Sequence, residues 1–293
     1  MLRDIKDLLD CSIVATDGIV GTIKDLYFDD EAWVIRYFVV ETGNWLLQRR
    51  VLISPLAVTA PAVTPGVLPV SLTKAQVKDS PGIDTDEPVS RQHEREYLRY
   101  YGYPFYWDGG GLWGRSAAHP GSLLTGLDQE GAAAGRRRSQ EEDRRADAEA
   151  DAELLQHGDH HLRSAKIVMA YYVHASDGEI GHVKGFLIEQ TTWAVRYMIV
   201  TTSDWWQGHD VLISPEWIDE VRWDDNRVLV SLTRSAVKSA LEYKSHLPLD
   251  RDHEKDLYAH HGQPPYWARE VEVQHPEFQG NPAEDSASRQ KVE

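Results

Sequence analysis

The sequence predicts a mainly β protein: two small β-barrels, each followed by a capping C-terminal helix, joined by a flexible linker. Three observations carry this. First, the chain repeats itself. Residues 13–107 laid over 173–267 at an offset of 160 need no gap, and about 30 positions are identical. Second, each copy consists of short β-branched and aromatic runs punctuated by Asp-Gly, Pro and Gly, the pattern of a small all-β unit. Third, each copy ends in a capped segment of helical spacing and a Tyr-Trp pair. A period of 160 is too long for a solenoid, so the chain reads as a duplicated domain.

Within the first copy, Ser12 to Ala15 reads as a strand. Asp17-Gly18 makes a hairpin turn, because glycine tolerates the positive φ such turns need. Gly21 to Phe28 returns, and Asp29-Asp30-Glu31 is a second turn. Trp33 to Val40 is apolar on both faces, which predicts a strand buried on both sides. Arg50 to Ile53 and Val67 to Leu72 are further strands, and Thr73 caps a short helix through Lys78. The closing helix starts at Ser90 in copy one and Asp250 in copy two. His93, Tyr97, Leu98 and Tyr101 then recur at helical spacing, as do His253, Leu257, Tyr258 and His261. Gly102 and Gly262 stop these helices, and Pro104 and Pro264 follow. The expected division is 1–107 for the first domain, 108–163 for a charged flexible linker, 164–267 for the second domain and 268–293 for a disordered tail.

The totals narrow the function. The chain has 293 residues, 41% of them hydrophobic, with ten Trp and thirteen Tyr, enough for two cores. Its formal charge of −16 repels phosphate backbones and anionic lipid, which disfavours a general nucleic-acid or membrane-surface binder. Cys11 is the single cysteine, so no disulfide forms within the chain. The N-terminal stretch carries Asp4, Asp7 and Asp10 and no continuous apolar core, so it is not read as a signal peptide. No apolar run spans a bilayer. The expected location is cytoplasmic.

The repeated stretch RYFVVETGNWLLQRRVLISP, echoed as RYMIVTTSDWWQGHDVLISP and preceded by the Asp-Gly hairpin and Gly21, resembles the PRC-barrel domain. That domain is shared by the cytoplasmic part of the H polypeptide of photosynthetic reaction centres, by ribosome-maturation factors and by many small bacterial proteins. Copy one keeps Glu41, Gly43, Trp45, Arg49 and Val51 to Pro55 of the pattern. Copy two departs, with Ser203-Asp204 at the glycine turn and His209-Asp210 where copy one has two arginines. The closing helices and their aromatics resemble the extension in the branch of the family that contains the reaction-centre H polypeptide. The resemblance implies two PRC-type β-barrels acting as an interaction or assembly module, without catalysis. It also implies a link to photosynthetic electron-transport assemblies or stress response, although the membrane helix of the H polypeptide is missing.

The candidate residues divide into two groups. Trp45, Arg49, Arg50, Trp205, Trp206 and His209 lie on the turns between strands and are the candidate interaction surface, since Trp and Arg are enriched in binding hot spots. Asp17, Gly18, Gly21, Arg36, His93, Asp177, Gly178, Gly181, Arg196 and His253 are expected to be structural. Arg36 and Arg196 stand in apolar strands, where a charge needs a carboxylate partner. His93 and His253 are expected to be satisfied and to hold the closing helix on the barrel. The tract of His157, His160 and His161 could bind metal, but it lies in the polar linker. Arg136 to Arg138 is neutralised by the acidic run behind it. No phosphate loop, nucleophile elbow or zinc motif occurs.

The expectation is therefore a non-catalytic scaffold with no cofactor and no metal. Its partner is a protein, or the two barrels pair within the chain as a pseudo-dimer, or two chains form a homodimer. The competing readings are a ribosome or RNA-maturation accessory factor and a metal-binding protein using the histidines.

Overall fold

The computed structural model describes residues 1–59, 65–82, 89–107, 111–114, 120, 161–202, 208–245 and 249–268. The polar tail from residue 269, most of the expected linker (His157, His160 and Arg136 to Arg138 included) and the turn bearing Trp205 and Trp206 lie outside the described residues.

The described residues form two mixed sheets, one per copy. In half one, β1 (Leu2–Asp4) is followed by β2 (Ser12–Ala15), β3 (Gly18–Asp29), β4 (Val34–Thr42), β5 (Arg50–Ile53) and β6 (Val67–Pro69). Two helices follow, α1 (Lys74–Lys78) and α2 (Arg91–Tyr101). Half two repeats the plan. It begins with β7 (Leu162–Ser164) and α3 (Ala165–Val168), then β8 (Tyr172–Ala175), β9 (Gly178–Glu189), β10 (Val195–Thr202) and β11 (Asp210–Ile213). Next come β12 (Ile218–Arg222), β13 (Arg227–Val230), α4 (Arg234–Lys238) and α5 (Arg251–His260).

The sheet order is β5-β4-β3-β2-β6 in half one and β11-β10-β9-β8-β13-β12 in half two, antiparallel except for the β2–β6 and β8–β13 pairs. The expected closure into barrels is corrected here: neither ladder closes on itself. In half one the gap between β5 and β6 is spanned by the turn Pro55–Ala57 and by α2. Pro55 has no N–H to offer a ladder. Instead, the Ser54 amide donates to the Tyr97 hydroxyl at 2.9 Å, and the Ala57 carbonyl accepts from the Ser71 amide at 2.8 Å.

The caps follow the expected chemistry. Thr73 and Gln76 form a reciprocal capping box on α1. Ser90 and Asp250 accept from amides of the first turn of α2 and α5. Gly102 ends α2 in the left-handed conformation. Gly21 and Gly181 are required for another reason. A Cβ at either would lie 2.0 Å from a carbonyl oxygen of the next strand, that of Glu41 or Thr201.

The leading strand of each half pairs with the sheet of the other. β1 runs antiparallel to the end of β9, with Arg3 opposite Ile188, and β7 runs antiparallel to the end of β3, with Arg163 opposite Phe28. Val34 and Ala194, related by the repeat offset, bridge to each other. Around them the Ile35 amide donates to the Trp193 carbonyl at 2.9 Å and the Val195 amide to the Trp33 carbonyl at 2.7 Å. This accounts for the doubly apolar β4: Val34 to Val40 are all buried, and Phe38 meets Trp193 edge-on at 5.1 Å.

Trp33 and Trp193 depart from the expected strand. Both have positive φ, 53° and 60°, an uncommon state for a bulky residue that costs about 1–3 kcal/mol each. Their rings repay this by packing at the junction, where Trp33 stacks on Phe28 at 5.2 Å and also meets Phe186 of the other half.

Candidate functional site

The densest polar cluster lies under α2. Glu94 is 0% exposed. Tyr106, from the segment after the helix, donates its hydroxyl to Glu94 Oε1 at 2.5 Å. His161 Nε2, from the start of half two, sits 2.7 Å from Glu94 Oε2 and 3.1 Å from the Tyr106 hydroxyl. Arg91 Nη1 donates to the Tyr106 hydroxyl at 3.1 Å. The Arg36 guanidinium lies 3.8 Å over the Tyr106 ring, pairs with Asp29 at 3.2 Å and donates to the Leu112 carbonyl at 2.7 Å. Trp113, also 0% exposed, closes the cluster and donates its indole N–H to the Thr192 carbonyl at 2.7 Å.

Burial opposes ionisation of Asp29, but Arg36 and the Ala32 and Glu31 amides outweigh it and hold the carboxyl below its ordinary range. Burial, reinforced by Glu94, pushes the Tyr106 hydroxyl well above its ordinary pKa, so it stays a neutral donor. Each member of the cluster is engaged by another. The arrangement fastens α2 to its own sheet and to the leading residues of the other half.

Half two builds the same cluster with different parts. Glu254 accepts from Tyr197 at 2.9 Å and from Tyr266 at 3.1 Å. Arg196 pairs with Glu189, its Nε at 2.9 Å, and lies 4.1 Å over the Tyr266 ring. Burial disfavours the Glu189 charge, and Arg196 with Thr192 overcomes it and lowers the pKa. The position equivalent to His161 is Met1. The backbone exchange is nonetheless kept: the His161 carbonyl accepts from Asp30 at 3.0 Å, and the Met1 carbonyl from Gln190 at 3.2 Å.

The visiting strands carry side-chain bonds as well. Ser164 donates to Asp25 at 2.5 Å and Arg163 to Asp30 at 2.7 Å. In the mirror position Gly185 replaces Asp25 and leaves room for Asp4, whose Oδ1 would lie 3.5 Å from an added Cβ.

The expected interaction turn divides differently. Trp45 is half-buried. Its indole N–H donates to the Val20 carbonyl at 2.7 Å, and Lys74 lies 4.4 Å over its ring. Arg49 donates to the Lys78 and Ser80 carbonyls at 3.2 and 3.1 Å, so it fixes the turn to the chain after α1. Arg50, at the head of β5, is exposed, whereas its neighbour Arg49 is half-buried. The residue that projects is Leu47, 94% exposed and held with Gln48 at positive φ (54° and 57°). In half two, the His209 carbonyl accepts from Thr202.

Of the expected structural residues, Asp17 and Asp177 each accept from the first amide of α1 or α4, at 2.8 and 2.7 Å. Gly18 and Gly178 adopt φ of 135° and 138° beside them. The two histidines need correction. His93 is half-buried, but its buried Nε2 finds no hydrogen-bond partner among the described residues. His253 is exposed and pairs with its own cap, Asp250, at 2.7 Å, so it does not hold the helix on the sheet. The adjacent glutamates, Glu94 and Glu254, do that. Leu112, Trp113 and His161, placed by sequence in the flexible linker, are packed parts of the fold, because they complete the cluster around Arg36 and Glu94.

The other parts of the cluster and of the strand exchange had a sequence signal. Arg91, Glu94 and Tyr106 recur at offset 160 as Arg251, Glu254 and Tyr266, and Leu2-Arg3 recurs as Leu162-Arg163. Among the described residues no group of three or more His, Cys, Asp or Glu is placed to hold a metal.

Comparison with known proteins agrees with this architecture in its first part. The family model described as the PRC-barrel domain matches residues 2–66. The matched residues span β1 to β5 of half one. A Deinococcus radiodurans relative described as an uncharacterized protein is 37% identical over 91 residues. That match covers 27% of this chain and 32% of the relative, so the similarity spans about a third of the relative's length. Among the described residues no helix is long and apolar enough to cross a membrane.

Proposed function

We propose that this protein is a non-catalytic scaffold in which two PRC-type units work as one covalently linked pseudo-dimer and present their strand turns to a protein partner. The observation that supports this most is the reciprocal exchange of leading strands, β1 onto β9 and β7 onto β3. A closed twofold arrangement uses the same patch on both partners, and here the offset of 160 maps one set of junction contacts onto the other. The strained, projecting Leu47 supports the turn of half one as the contact surface. Strain held at an exposed tip is a pointer to function. The mutual pairing within the Glu94 and Glu254 clusters favours a structural role for the residues that might otherwise suggest catalysis.

The test has two parts. NMR relaxation of the whole chain reads one common tumbling time, and Arg3→Pro, which cannot adopt the β1 pairing, splits it into two; separate tumbling of the wild-type halves sinks the pseudo-dimer. Crosslinking from native lysate then captures a partner with the wild-type chain and loses it with Leu47→Asp. Unchanged capture by Leu47→Asp removes the turn of half one from the proposal.

A further inference from the structure

The junction between the halves uses one backbone pattern twice, yet its two ends are not interchangeable. Leu2, Arg3 and Asp4 lie opposite Glu189, Ile188 and Leu187, and Leu162, Arg163 and Ser164 lie opposite Asp29, Phe28 and Tyr27. The repeat offset carries one register exactly onto the other. Backbone pairing alone would therefore serve two copies of half one, or two copies of half two, as well as it serves one of each.

The side chains decide otherwise. At the β7 end, Ser164 donates its hydroxyl to Asp25 Oδ2 at 2.5 Å, and the Lys166 amide donates to Oδ1 at 3.1 Å. At the β1 end the roles are exchanged. The visitor is a carboxylate, Asp4, and its host is Gly185, where an added Cβ would lie 3.5 Å from Asp4 Oδ1. Asp25 and Gly185 occupy one repeat position, and Asp4 and Ser164 occupy another. Two copies of half one in this register would set Asp4 of each against Asp25 of the other. Burial already raises the pKa of both carboxyls. Lys6 would stand in the place of Lys166, leaving one ammonium to two carboxylates. Like charges set together at an interface suppress that pairing. Two copies of half two are not repelled. They would set Ser164 against Gly185, and Arg163, which now pairs with Asp30 at 2.7 Å, against Gln190. A chain paired in that way would also leave its half one without a partner.

We propose that the junction is a heterotypic docking surface whose partner is fixed as the unlike half, with Asp25 and Ser164 at one end and Gly185 and Asp4 at the other as its specificity determinants. They bar like halves of neighbouring chains from pairing. The inference rests on the pseudo-dimer reading and adds the reason that the pair closes within one chain. A chain whose halves each accepted their own kind would join a neighbour through both and grow into an open filament.

Light-scattering mass and hydrogen exchange of the whole chain test it. The wild-type chain has the mass of one chain, with β1 and β7 protected. Ser164→Asp sets a carboxylate against Asp25, and that carboxylate fits Gly185 of a second copy as Asp4 does. Aspartate also keeps the cap that Ser164 places on α3. The expected result is a doubled mass that falls back on dilution, with exchange in the released β1 about a hundredfold faster. Gly185→Asp reaches the same end from the other side, because its carboxylate repels Asp4 and accepts Ser164 of a second copy. Ser164→Asn, which caps α3 without charge, keeps the single-chain mass. Asp25→Gly added to Ser164→Asp gives half one the host that half two has, and the tether between the halves then restores the closed chain. A folded Ser164→Asp or Gly185→Asp chain that keeps the single-chain mass overturns the proposal. So does a Ser164→Asn chain that doubles, or a double variant that stays doubled, since bulk rather than charge would then decide the pairing. A wild-type chain of doubled mass, or one with β1 unprotected, sinks the pseudo-dimer reading itself.

Discussion

The two halves share a backbone plan and differ in how they treat buried charge. In half one, Arg36 is sealed between Asp29, Tyr106 and Trp113, with its side chain 3% exposed and that of Asp29 9%. In half two, Arg196 and Glu189 are 9% and 19% exposed, and no tryptophan equivalent to Trp113 is among the described residues that cover them. Half one also draws His161 from across the junction, where half two has Met1. The repeat preserved the need for an Arg–carboxylate pair, a buried glutamate and a tyrosine latch, while the enclosure around them diverged. What must be kept is the pairing; how dry it is can vary.

The largest effect expected from this difference is on the ion pairs. Asp29→Ala leaves Arg36 buried and uncompensated, which costs about 3–5 kcal/mol. Glu189→Ala, in the wetter half, costs about 1–2 kcal/mol. Urea unfolding of the two variants reads the gap, and equal losses would break the comparison. Next is His161→Ala. It removes one partner from Glu94 but leaves Tyr106 and Arg91, a loss of about 1–2 kcal/mol. Hydrogen exchange should show the loss concentrated in α2, with α5 unaffected.

The third prediction concerns pH. His261 packs on Trp217 at 4.7 Å, and burial with the neighbouring His260 lowers its pKa from the ordinary 6.5 to about 4. Half one has Tyr101 there. Below pH 6.5 the unfolded chain takes up a proton that the folded chain refuses. Stability is therefore fully present above that pH and falls as pH drops towards 4. The side chain is partly exposed, so the loss is about 1–2 kcal/mol after allowing for solvent screening. His261→Tyr removes this slope. Thermal melts between pH 4 and 7 check it, and an unchanged slope would move its origin elsewhere, with His93, also lowered by burial, first in line.

The smallest effect is at the turn. Leu47→Gly relieves a left-handed leucine that makes little packing, and it stabilises half one by about 0.5–1 kcal/mol. If Leu47 is a contact residue, the same change weakens partner capture, which separates stability from function at one position.

Much of the fold is legible in the sequence because its signals are local. The Asp-Gly hairpins, the Thr73, Ser90 and Asp250 caps and the limits of β2 and β5 rest on turn chemistry and two-residue alternation, and the structure places them as read. Barrel closure is not local. It depends on whether β5 and β6 share hydrogen bonds, and Pro55 with α2 intervenes. The exchanged strands are three residues long, too short to show a period, and their partners lie in the other copy. Arg36 announces that it needs a carboxylate, yet no pattern says which one. Nor does a polar tract show that its last residue, His161, is buried. At the candidate site, the titratable residues that the sequence singles out on the closing helices are His93 and His253, whereas the helix geometry turns the neighbouring Glu94 and Glu254 inward.

The exchange of leading strands also sets an order of events during synthesis. β1 is made well before its partner: the residues it pairs with, Leu187–Glu189, are about 185 positions downstream. At roughly 5–20 residues per second, that is a wait of roughly 10–40 s. For most of it, half one holds the edge of β3 at Tyr27 to Asp29 open for β7, which arrives only after the connecting segment has been made. The nascent chain therefore carries two unpaired strand edges until the second half emerges, so a ribosome pause within the connecting segment would lengthen the period in which neighbouring chains can take the place of β7.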